Sequence, residues 1–359
     1  MKKLSFILAP FAIIYGGIIA LRNLLLDLKI LPNIMPQIPS IGIGNLNVGG
    51  TGKSVLVDYL ITYFKKKKNP LVISRGYKRK TRGVIIANDK SSALTIGDEP
   101  YQFFSKHKID VIVCEKRKDG LNILMQKNLK PDVIIFDDLM QHRYVTPHCL
   151  VITTSFNQIF FDDHLLPLGR LREQASQVKR ANIILVTKCP DVLSIKDQLK
   201  IKHKINPKNY QKVFFTKVLY GKNIINKKNK KSLTKLKLPF LLITGIANSD
   251  HLVSFLKNKS LSFEHLKYSN HYNFSLSDIK KIKQKKQSKI ILTTEKDFGR
   301  LEPYFNSNEL FYLPIEMGFF TKKREDEFKL FFKKKLIFFK QCVCEPYKMI
   351  LQEVHFQHV

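Results

Sequence analysis

The chain has 359 residues, of which 44% are hydrophobic and 11% aromatic, and its 62 lysines and arginines outnumber 29 aspartates and glutamates for a net charge of +33. This composition excludes a disordered chain and is typical of a globular α/β protein with two domains. The positive charge indicates attraction to nucleic acid, anionic lipid or phosphorylated substrates. Lysines spread over solvated surfaces are the alternative explanation, so charge alone identifies no partner.

The N-terminus is apolar. Residues 4–21 carry no charge, whereas Lys2 and Lys3 precede them and Arg22 follows. A run of about eighteen apolar residues is at the lower limit for a spanning helix, and basic residues on both sides do not fix its orientation. We therefore expect residues 1–31 to be a membrane-associated segment that either spans the bilayer or lies in its interface.

Five cysteines have neither a disulfide-framework spacing nor a zinc-site spacing: Cys114, Cys149, Cys189, Cys342 and Cys344. They predict free thiols in a reducing compartment, so we expect the chain to face the cytosol. A cleaved export signal is the alternative for the N-terminal segment, but export would separate the nucleotide site described below from its ATP.

Short apolar strands alternate with helical patterns after the N-terminal segment. The predicted strands are 40–44, 71–74, 111–113, 133–136, 150–152 and 183–186, and later 240–243 and 290–293. This alternation predicts an α/β fold with a doubly wound, mostly parallel sheet. The predicted organisation is a kinase-type domain (32–225), a Lys/Asn-rich linker (226–238), a second, smaller α/β domain (239–339) and a tail of unknown role (340–359).

The strongest motif is Asn47-Val48-Gly49-Gly50-Thr51-Gly52-Lys53-Ser54, which follows a predicted strand and opens a predicted helix. This context is typical of a P-loop, in which backbone N–H groups and the helix N-terminus bind phosphates. Lys53 would reach the β- and γ-phosphates of ATP, and Ser54 would bind Mg²⁺. Asn47 replaces the usual first glycine, and asparagine tolerates a left-handed turn.

A P-loop needs a carboxylate for the metal at the end of a neighbouring strand. The run 133–136 ends in Asp137 and Asp138, so we predict that Asp137 binds Mg²⁺ and that Asp138 assists. A simple helix cap is the alternative. The segment Thr187-Lys188-Cys189-Pro190-Asp191 departs from the guanine-reading Asn-Lys-x-Asp motif, which favours ATP over GTP.

Several motifs in order resemble the tetraacyldisaccharide 4′-kinase family of P-loop kinases (lipid A 4′-kinases). They are 43–54, Ser74-Arg75-Gly76-Tyr77, Gly97-Asp98-Glu99-Pro100, 137–143, 166–173 and 294–297. The resemblance implies a P-loop NTPase-like α/β/α domain joined by a hinge to a smaller α/β/α domain. It also implies transfer of the ATP γ-phosphate to the 4′-hydroxyl of tetraacyldisaccharide 1-phosphate, giving lipid IVA, at the cytoplasmic face of the bacterial inner membrane.

The resemblance also implies site residues. Asp98 would pair with His271 of the second domain, and an imidazole oriented by a carboxylate suits general-base catalysis. The expected substrate-binding residues are Arg75, Glu99, Arg117, His142 and Glu173. Four positions depart from the family pattern: Lys78, Leu139, Arg170 and Asn270. The rival hypotheses are a nucleic-acid-associated P-loop ATPase, motivated by the net charge, and a nonenzymatic membrane-bound descendant.

Overall fold

The computed structural model describes residues 2–236, 239–287 and 289–344. The helices are α1 (Lys2–Asp27), α2 (Lys53–Phe64), α3 (Ala93–Ile96), α4 (Asp98–His107), α5 (Arg117–Gln126), α6 (Ile195–Ile205), α7 (Asp250–Asn258), α8 (Leu276–Lys286), α9 (Glu295–Leu301) and α10 (Lys322–Cys344). The strands are β1 (Ser40–Gly44), β2 (Pro70–Ser74), β3 (Ile85–Ile86), β4 (Asp110–Val113), β5 (Val133–Phe136), β6 (Cys149–Ser155), β7 (Ile183–Thr187), β8 (Lys212–Tyr220), β9 (Asn223–Ile225), β10 (Lys230–Ser232), β11 (Phe240–Thr244), β12 (Phe263–Lys267), β13 (Ile291–Thr294), β14 (Leu310–Leu313) and β15 (Ile315–Phe319).

The first sheet has nine strands in the order β15-β8-β7-β6-β1-β5-β2-β4-β3. The strands from β8 to β4 run parallel, and only the two edge strands are antiparallel to their neighbours. Strands β1, β2, β5 and β7 are buried along their whole length, as expected for a parallel sheet that is covered on both faces. Helices α2, α4 and α10 pack on one face, and α5, α6 and the segment 156–180 cover the other.

The strand order places the P-loop at the centre of this sheet. Strands β2 and β5 lie on one side of β1, whereas β6 lies on the other side. The chain therefore crosses β1 when it passes from β5 to β6. In such sheets ligands bind at the carboxyl ends of the strands where the order reverses. The loop after β1 and the acidic pair after β5 therefore share the expected position for a nucleotide site.

The second sheet has six strands in the order β10-β9-β14-β13-β11-β12, of which the last four run parallel. Sheet membership divides the chain differently from the predicted boundaries. The hairpin of β9 and β10 belongs to the second sheet, although we assigned residues 223–225 to the first domain and residues 226–238 to a linker. These strands are short and rich in lysine and asparagine, so no apolar alternation marks them in the sequence.

The chain returns to the first sheet before its end. Strand β15 pairs antiparallel with β8, and Phe328, Phe332 and Leu336 of α10 are buried in the core of the first domain. This corrects the assignment of residues 315–339 to the second domain. The start of the predicted tail, up to Cys344, continues α10, and residues 345–359 lie outside the described residues.

One side of the N-terminal helix packs against the first domain. Ala12, Ile19 and Leu26 are buried, and the Tyr15 hydroxyl donates to the backbone carbonyl of Arg172 at 3.0 Å. The other side of α1 is apolar and exposed, with Phe11, Ile13, Ile14, Ile18, Leu21 and Leu24. Within the described residues, α1 is the one helix whose length and hydropathy would allow it to cross a membrane, over Leu8–Asp27.

The structure describes the side chains of three of the five cysteines. Cys114, Cys149 and Cys189 are buried free thiols, as predicted. Burial raises the pKa of the Cys149 and Cys189 thiols to about 12, so both stay protonated at neutral pH.

We expect that Phe328→Ala will destabilise the first domain. The Phe328 ring is fully buried against Tyr59, Phe214 and Phe332. Truncating such a ring costs about 3–5 kcal/mol of unfolding free energy, measured by urea unfolding. The control is Leu330→Ala on the same helix, since Leu330 is 48% exposed. Equal effects of the two variants would contradict the packing of α10 on this core.

Candidate active site

The P-loop connects β1 to α2 through two glycines with left-handed backbones. Gly49 has φ 113° and Gly52, the residue before α2, has φ 85°. A Cβ at Gly52 would lie 3.2 Å from the Thr187 side chain, so the loop also needs glycine there for close packing. The N-terminus of α2 opens directly after this turn and favours a bound anion.

Asn47 holds the loop through its side chain. Asparagine tolerates a left-handed turn, but the φ of Asn47 is not positive; Asn47 pairs with Leu171 in an isolated β-bridge. Its Nδ2 donates to Asp163 Oδ2 at 3.1 Å. Backbone bonds on either side complete the brace: Val48 N donates to Arg170 O and Arg172 N donates to Leu46 O, both at 2.7 Å. Residues 163–172 therefore support the loop where the usual first glycine is missing.

The carboxylates after β5 have opposite electrostatic surroundings. Asp137 is buried, and its pKa rises to about 6 because of burial and the neighbouring Glu99 and Asp138. Asp138 is half-buried, and Lys53 at 3.4 Å and Arg172 at 3.0 Å outweigh the effect of partial burial and hold its pKa well below the ordinary value. Asp138 is thus a permanent anion beside the P-loop lysine, whereas Asp137 ionises near neutral pH.

The oxygen atoms around Ser54 fit a magnesium ion. The Ser54 hydroxyl donates to Glu99 Oε1 at 2.5 Å, and Ser74 donates to Asp137 Oδ2 at 2.9 Å. Asp137 Oδ1 is buried and has no hydrogen-bond partner within the described residues. No group of three or more His, Cys, Asp or Glu side chains in the described ranges is arranged to hold a metal alone. This agrees with Mg²⁺ chemistry, since Mg²⁺ is usually held by one or two protein oxygens together with water and phosphate.

Asp98 lies on the first turn of α4 and contacts the second domain. His271 Nδ1 lies 2.6 Å from Asp98 Oδ2, and Arg300 of α9 donates to both carboxylate oxygens at 2.9 Å. The backbone of His271 is left-handed, with φ 55°, and its N–H donates to Gly245 O at 2.9 Å. The Tyr77 ring meets the imidazole edge-on, with centroids 5.4 Å apart. These contacts fix the orientation of the His271 ring.

Glu99 provides the second link between the domains. It accepts from Lys296 of α9 at 2.5 Å while also accepting from Ser54. Burial would raise the Glu99 pKa, but Lys296, Ser54 and Lys53 lower it to about 2. We predicted that Glu99 binds substrate. The structure places it beside Ser54 and Asp137, where a metal bound to the P-loop would lie, and a substrate role for Glu99 stays a prediction.

Two predicted substrate residues have buried internal partners. The Arg117 guanidinium is 1% exposed and donates to the backbone carbonyls of Cys114 and Asp137 at 2.9 and 2.8 Å. Arg117 therefore stabilises the backbone at the acidic pair through these hydrogen bonds. Glu173 is fully buried in ion pairs with Arg180 at 2.8 Å and Arg22 of α1 at 3.3 Å. This contact joins the N-terminal helix to the first domain, so both residues have structural roles here.

The other two substrate candidates lie at the carboxyl edge of the sheet. Arg75 is exposed directly after β2, and His142 is half-buried after β5. Burial and the nearby Arg117 guanidinium lower the His142 pKa to about 3, so this imidazole is neutral at neutral pH. A substrate role for Arg75 and His142 stays a prediction.

Sequence reasoning missed four basic residues at this site: Arg172, Lys188, Lys296 and Arg300. Arg172 and Lys296 fall inside the motifs that carried the resemblance, but nothing in their spacing indicated which acid each would bind. Lys188 follows β7 with a left-handed backbone, and its Nζ lies 3.5 Å from the position that a Cβ would take at Gly50. The segment 187–191, which departs from the guanine-reading motif, thus contributes Lys188 next to the P-loop.

The site combines a P-loop between parallel strands with an acidic pair at the end of the neighbouring strand. A second domain closes on them, and these features together define a P-loop kinase. The chain belongs to the tetraacyldisaccharide-1-P 4′-kinase family, which it matches over residues 4–336. It is 42% identical to the tetraacyldisaccharide 4′-kinase of Flavobacterium psychrophilum over 334 residues, 92% of this chain and 97% of the relative. It is 36% identical to that of Parabacteroides distasonis over 346 residues, 91% and 93% of the two chains.

A solved structure agrees with this assignment. The crystal structure described as "apo" form LpxK from Aquifex aeolicus in complex with ATP is 26% identical, with a TM-score of 0.73. The match covers 93% of this chain and 99% of that one. The predicted fold class and the predicted family are confirmed.

We expect the fold to lose stability in acid partly through His142. The unfolded chain binds a proton at this imidazole below about pH 6.5, whereas the folded chain does so only near pH 3. Because the unfolded state binds more protons in this window, stability falls as pH falls from 6.5 towards 3. His142→Gln should remove this contribution, so the variant gains about 1 kcal/mol relative to wild type between pH 7.5 and 5.5.

The measurement is urea unfolding of both proteins at the two pH values. A free-energy difference that stays constant between pH 7.5 and 5.5 would show that the fold does not keep His142 neutral.

Proposed function

We propose that this protein transfers the γ-phosphate of ATP to the 4′-hydroxyl of a tetraacyldisaccharide 1-phosphate, forming lipid IVA. The observation that carries the proposal is the contact between His271 of the second domain and Asp98 of the first. Asp98 is followed by Glu99, which holds the P-loop serine Ser54. A candidate base for a sugar hydroxyl is therefore held next to the phosphate-binding loop.

The P-loop side of the site would bind ATP. The amides of the loop and the N-terminus of α2 would receive the phosphates, and Lys53, which now contacts Asn45 at 3.0 Å and Asp138 at 3.4 Å, would turn to the β- and γ-phosphates. Ser54 and Asp137 would hold Mg²⁺, which when bound neutralises charge on the phosphate oxygens. Asp138, an anion clamped by Arg172, would remain close to Lys53 and balance its charge.

The second domain would supply the acceptor side. With its Nδ1–H donated to Asp98, the His271 imidazole has its lone pair on Nε2. This nitrogen would accept the proton of the 4′-hydroxyl as the oxygen attacks the γ-phosphorus. Arg300 would hold the Asp98 carboxylate in this orientation through its two-pronged contact. Lys296 and Arg300, both on α9, also keep the two domains close together, which would exclude water from the site.

A lipid substrate requires access to a membrane. The exposed apolar side of α1 includes Ile14, Ile18 and Leu21 and would insert into the cytoplasmic face of the inner membrane. The chain has net charge +33, which would favour anionic lipid headgroups. Tyr15 of the same helix contacts Arg172, so the membrane-facing helix is joined directly to the brace of the P-loop.

The proposed reaction predicts transfer of labelled phosphate to lipid. Protein in detergent micelles, given γ-labelled ATP, Mg²⁺ and tetraacyldisaccharide 1-phosphate, should label the lipid, and Lys53→Ala should abolish labelling while remaining folded. Label released as inorganic phosphate only, with stimulation by RNA or DNA, would instead support the nucleic-acid-associated ATPase. No transfer by folded wild-type protein that binds ATP would reject the proposed reaction.

We expect His271→Ala to lower kcat by about 10²–10⁴, the usual contribution of a general base, with little change in the KM for ATP. Asp98→Ala should also lower kcat, because it removes the acceptor that fixes the His271 tautomer. The control is His265→Ala in the same domain, since His265 hydrogen-bonds Thr244 and lies outside the contact with Asp98. A wild-type kcat in His271→Ala would remove this residue from the mechanism.

A further inference from the structure

A second apolar surface is exposed at the start of α6. Val192, Ile195 and Leu199 are 87%, 75% and 59% exposed. Ile195 and Leu199 lie four residues apart on one side of α6, and Val192 lies three residues before the helix begins. Single exposed apolar residues are ordinary, but two on one side of a short helix, with a third in the loop just before it, form an apolar surface at this end of α6. We call these three side chains the α6 surface.

Lysines border the α6 surface. Lys196 and Lys200 are exposed on α6 next to Ile195 and Leu199, and Lys202 and Lys204 follow on the last turn. An apolar patch bordered by lysines matches the two layers of a bilayer surface, since apolar side chains enter the acyl region and ammonium groups contact anionic headgroups. The charge of the surrounding residues therefore favours lipid over an apolar protein groove.

The position of α6 in the fold also favours lipid. Its buried side, with Ile201 and Ile205, packs on the same sheet face that the segment 156–180 covers. The helix α1 packs on that segment through Tyr15 and Gly16, which contact Arg172 and Leu165. The helix α6 and the segment on which α1 packs therefore cover the same face of the first sheet.

We propose that the α6 surface is a second membrane contact, which binds an anionic bilayer together with α1. The inference rests on the proposed membrane attachment of the kinase and adds a specific surface to it. Two contacts on one face fix the orientation of the first domain on the bilayer, whereas a single helix leaves it free to rotate. The carboxyl edge of the sheet would then keep a constant position relative to the lipid substrate.

Tryptophan reporters test the contact directly, because the chain contains no tryptophan. We would mix full-length Leu199→Trp protein with vesicles of phosphatidylglycerol and phosphatidylethanolamine that carry brominated acyl chains. The positive reference is Ile14→Trp on α1. The matched control is Leu276→Trp, since Leu276 is 78% exposed on α8, a lysine-rich helix of the second domain.

The proposal predicts blue-shifted and quenched fluorescence for Leu199→Trp and Ile14→Trp, and no change for Leu276→Trp. Quenching of Ile14→Trp alone would overturn it, and so would equal quenching of Leu276→Trp, which indicates nonspecific adsorption. No quenching of any reporter would overturn the α6 contact and the attachment through α1 together. The readout requires no phosphoryl transfer, so a failure of the proposed reaction is detected separately by the lipid-labelling assay.

Vesicle affinity provides a second test. The double variant Ile195→Ser/Leu199→Ser should raise the vesicle dissociation constant about ten-fold, whereas Leu276→Ser should leave it unchanged. Lys196→Glu/Lys200→Glu should weaken binding to phosphatidylglycerol vesicles at low salt and have little effect on phosphatidylcholine vesicles. If the α6 surface binds a protein instead, both double variants will bind vesicles like wild type, which would overturn the proposal.

Discussion

The site depends on two adjacent carboxylates, Asp98 and Glu99, on the first turn of α4. Their position at a helix N-terminus favours negative charge, and the left-handed Gly97 before them, with φ 94°, turns the chain into that helix. Side chains of the second domain donate to both acids: His271, Lys296 and Arg300. Because Glu99 also holds Ser54, one helix turn connects the domain contact to the phosphate-binding loop. Domain closure and nucleotide binding therefore act on the same pair of acids.

Departures from the family pattern leave this geometry in place. The sharp turn after β5 falls on Asp138, with φ 50°, so Leu139, in the position of a family glycine, packs in the core instead. Lys78 also replaces a glycine and itself takes the left-handed conformation, with φ 59°, at a cost of about 1 kcal/mol. Asn270 is exposed, and the neighbouring His271 still contacts Asp98. These substitutions are compatible with an active enzyme and give little support to a nonenzymatic descendant.

The N-terminal helix and the candidate active site are linked through one residue. The backbone carbonyl of Arg172 accepts from Tyr15 of α1, and its side chain clamps Asp138 at 3.0 Å. Glu173, the next residue, is buried between Arg22 of α1 and Arg180. The segment that braces the P-loop is therefore also the segment on which the N-terminal helix rests. The proposed attachment of α1 to the bilayer would place the phosphate-binding loop at a defined depth, which suits an enzyme with a lipid substrate.

The sequence by itself determined the local features: β1 and β5 match the predicted strands residue for residue, and the P-loop and the acidic pair lie where expected. Apolar runs and glycine spacing are local signals, so they need no knowledge of the fold. Only the tertiary structure decided that β9 and β10 join the second sheet, that α10 returns to the first, and that Arg117 supports the backbone of Asp137. It also paired Asp98 with Arg300, which lies 202 residues further along the chain. Such pairings depend on which surfaces the two sheets bring together, and no local pattern of charge or hydrophobicity specifies them.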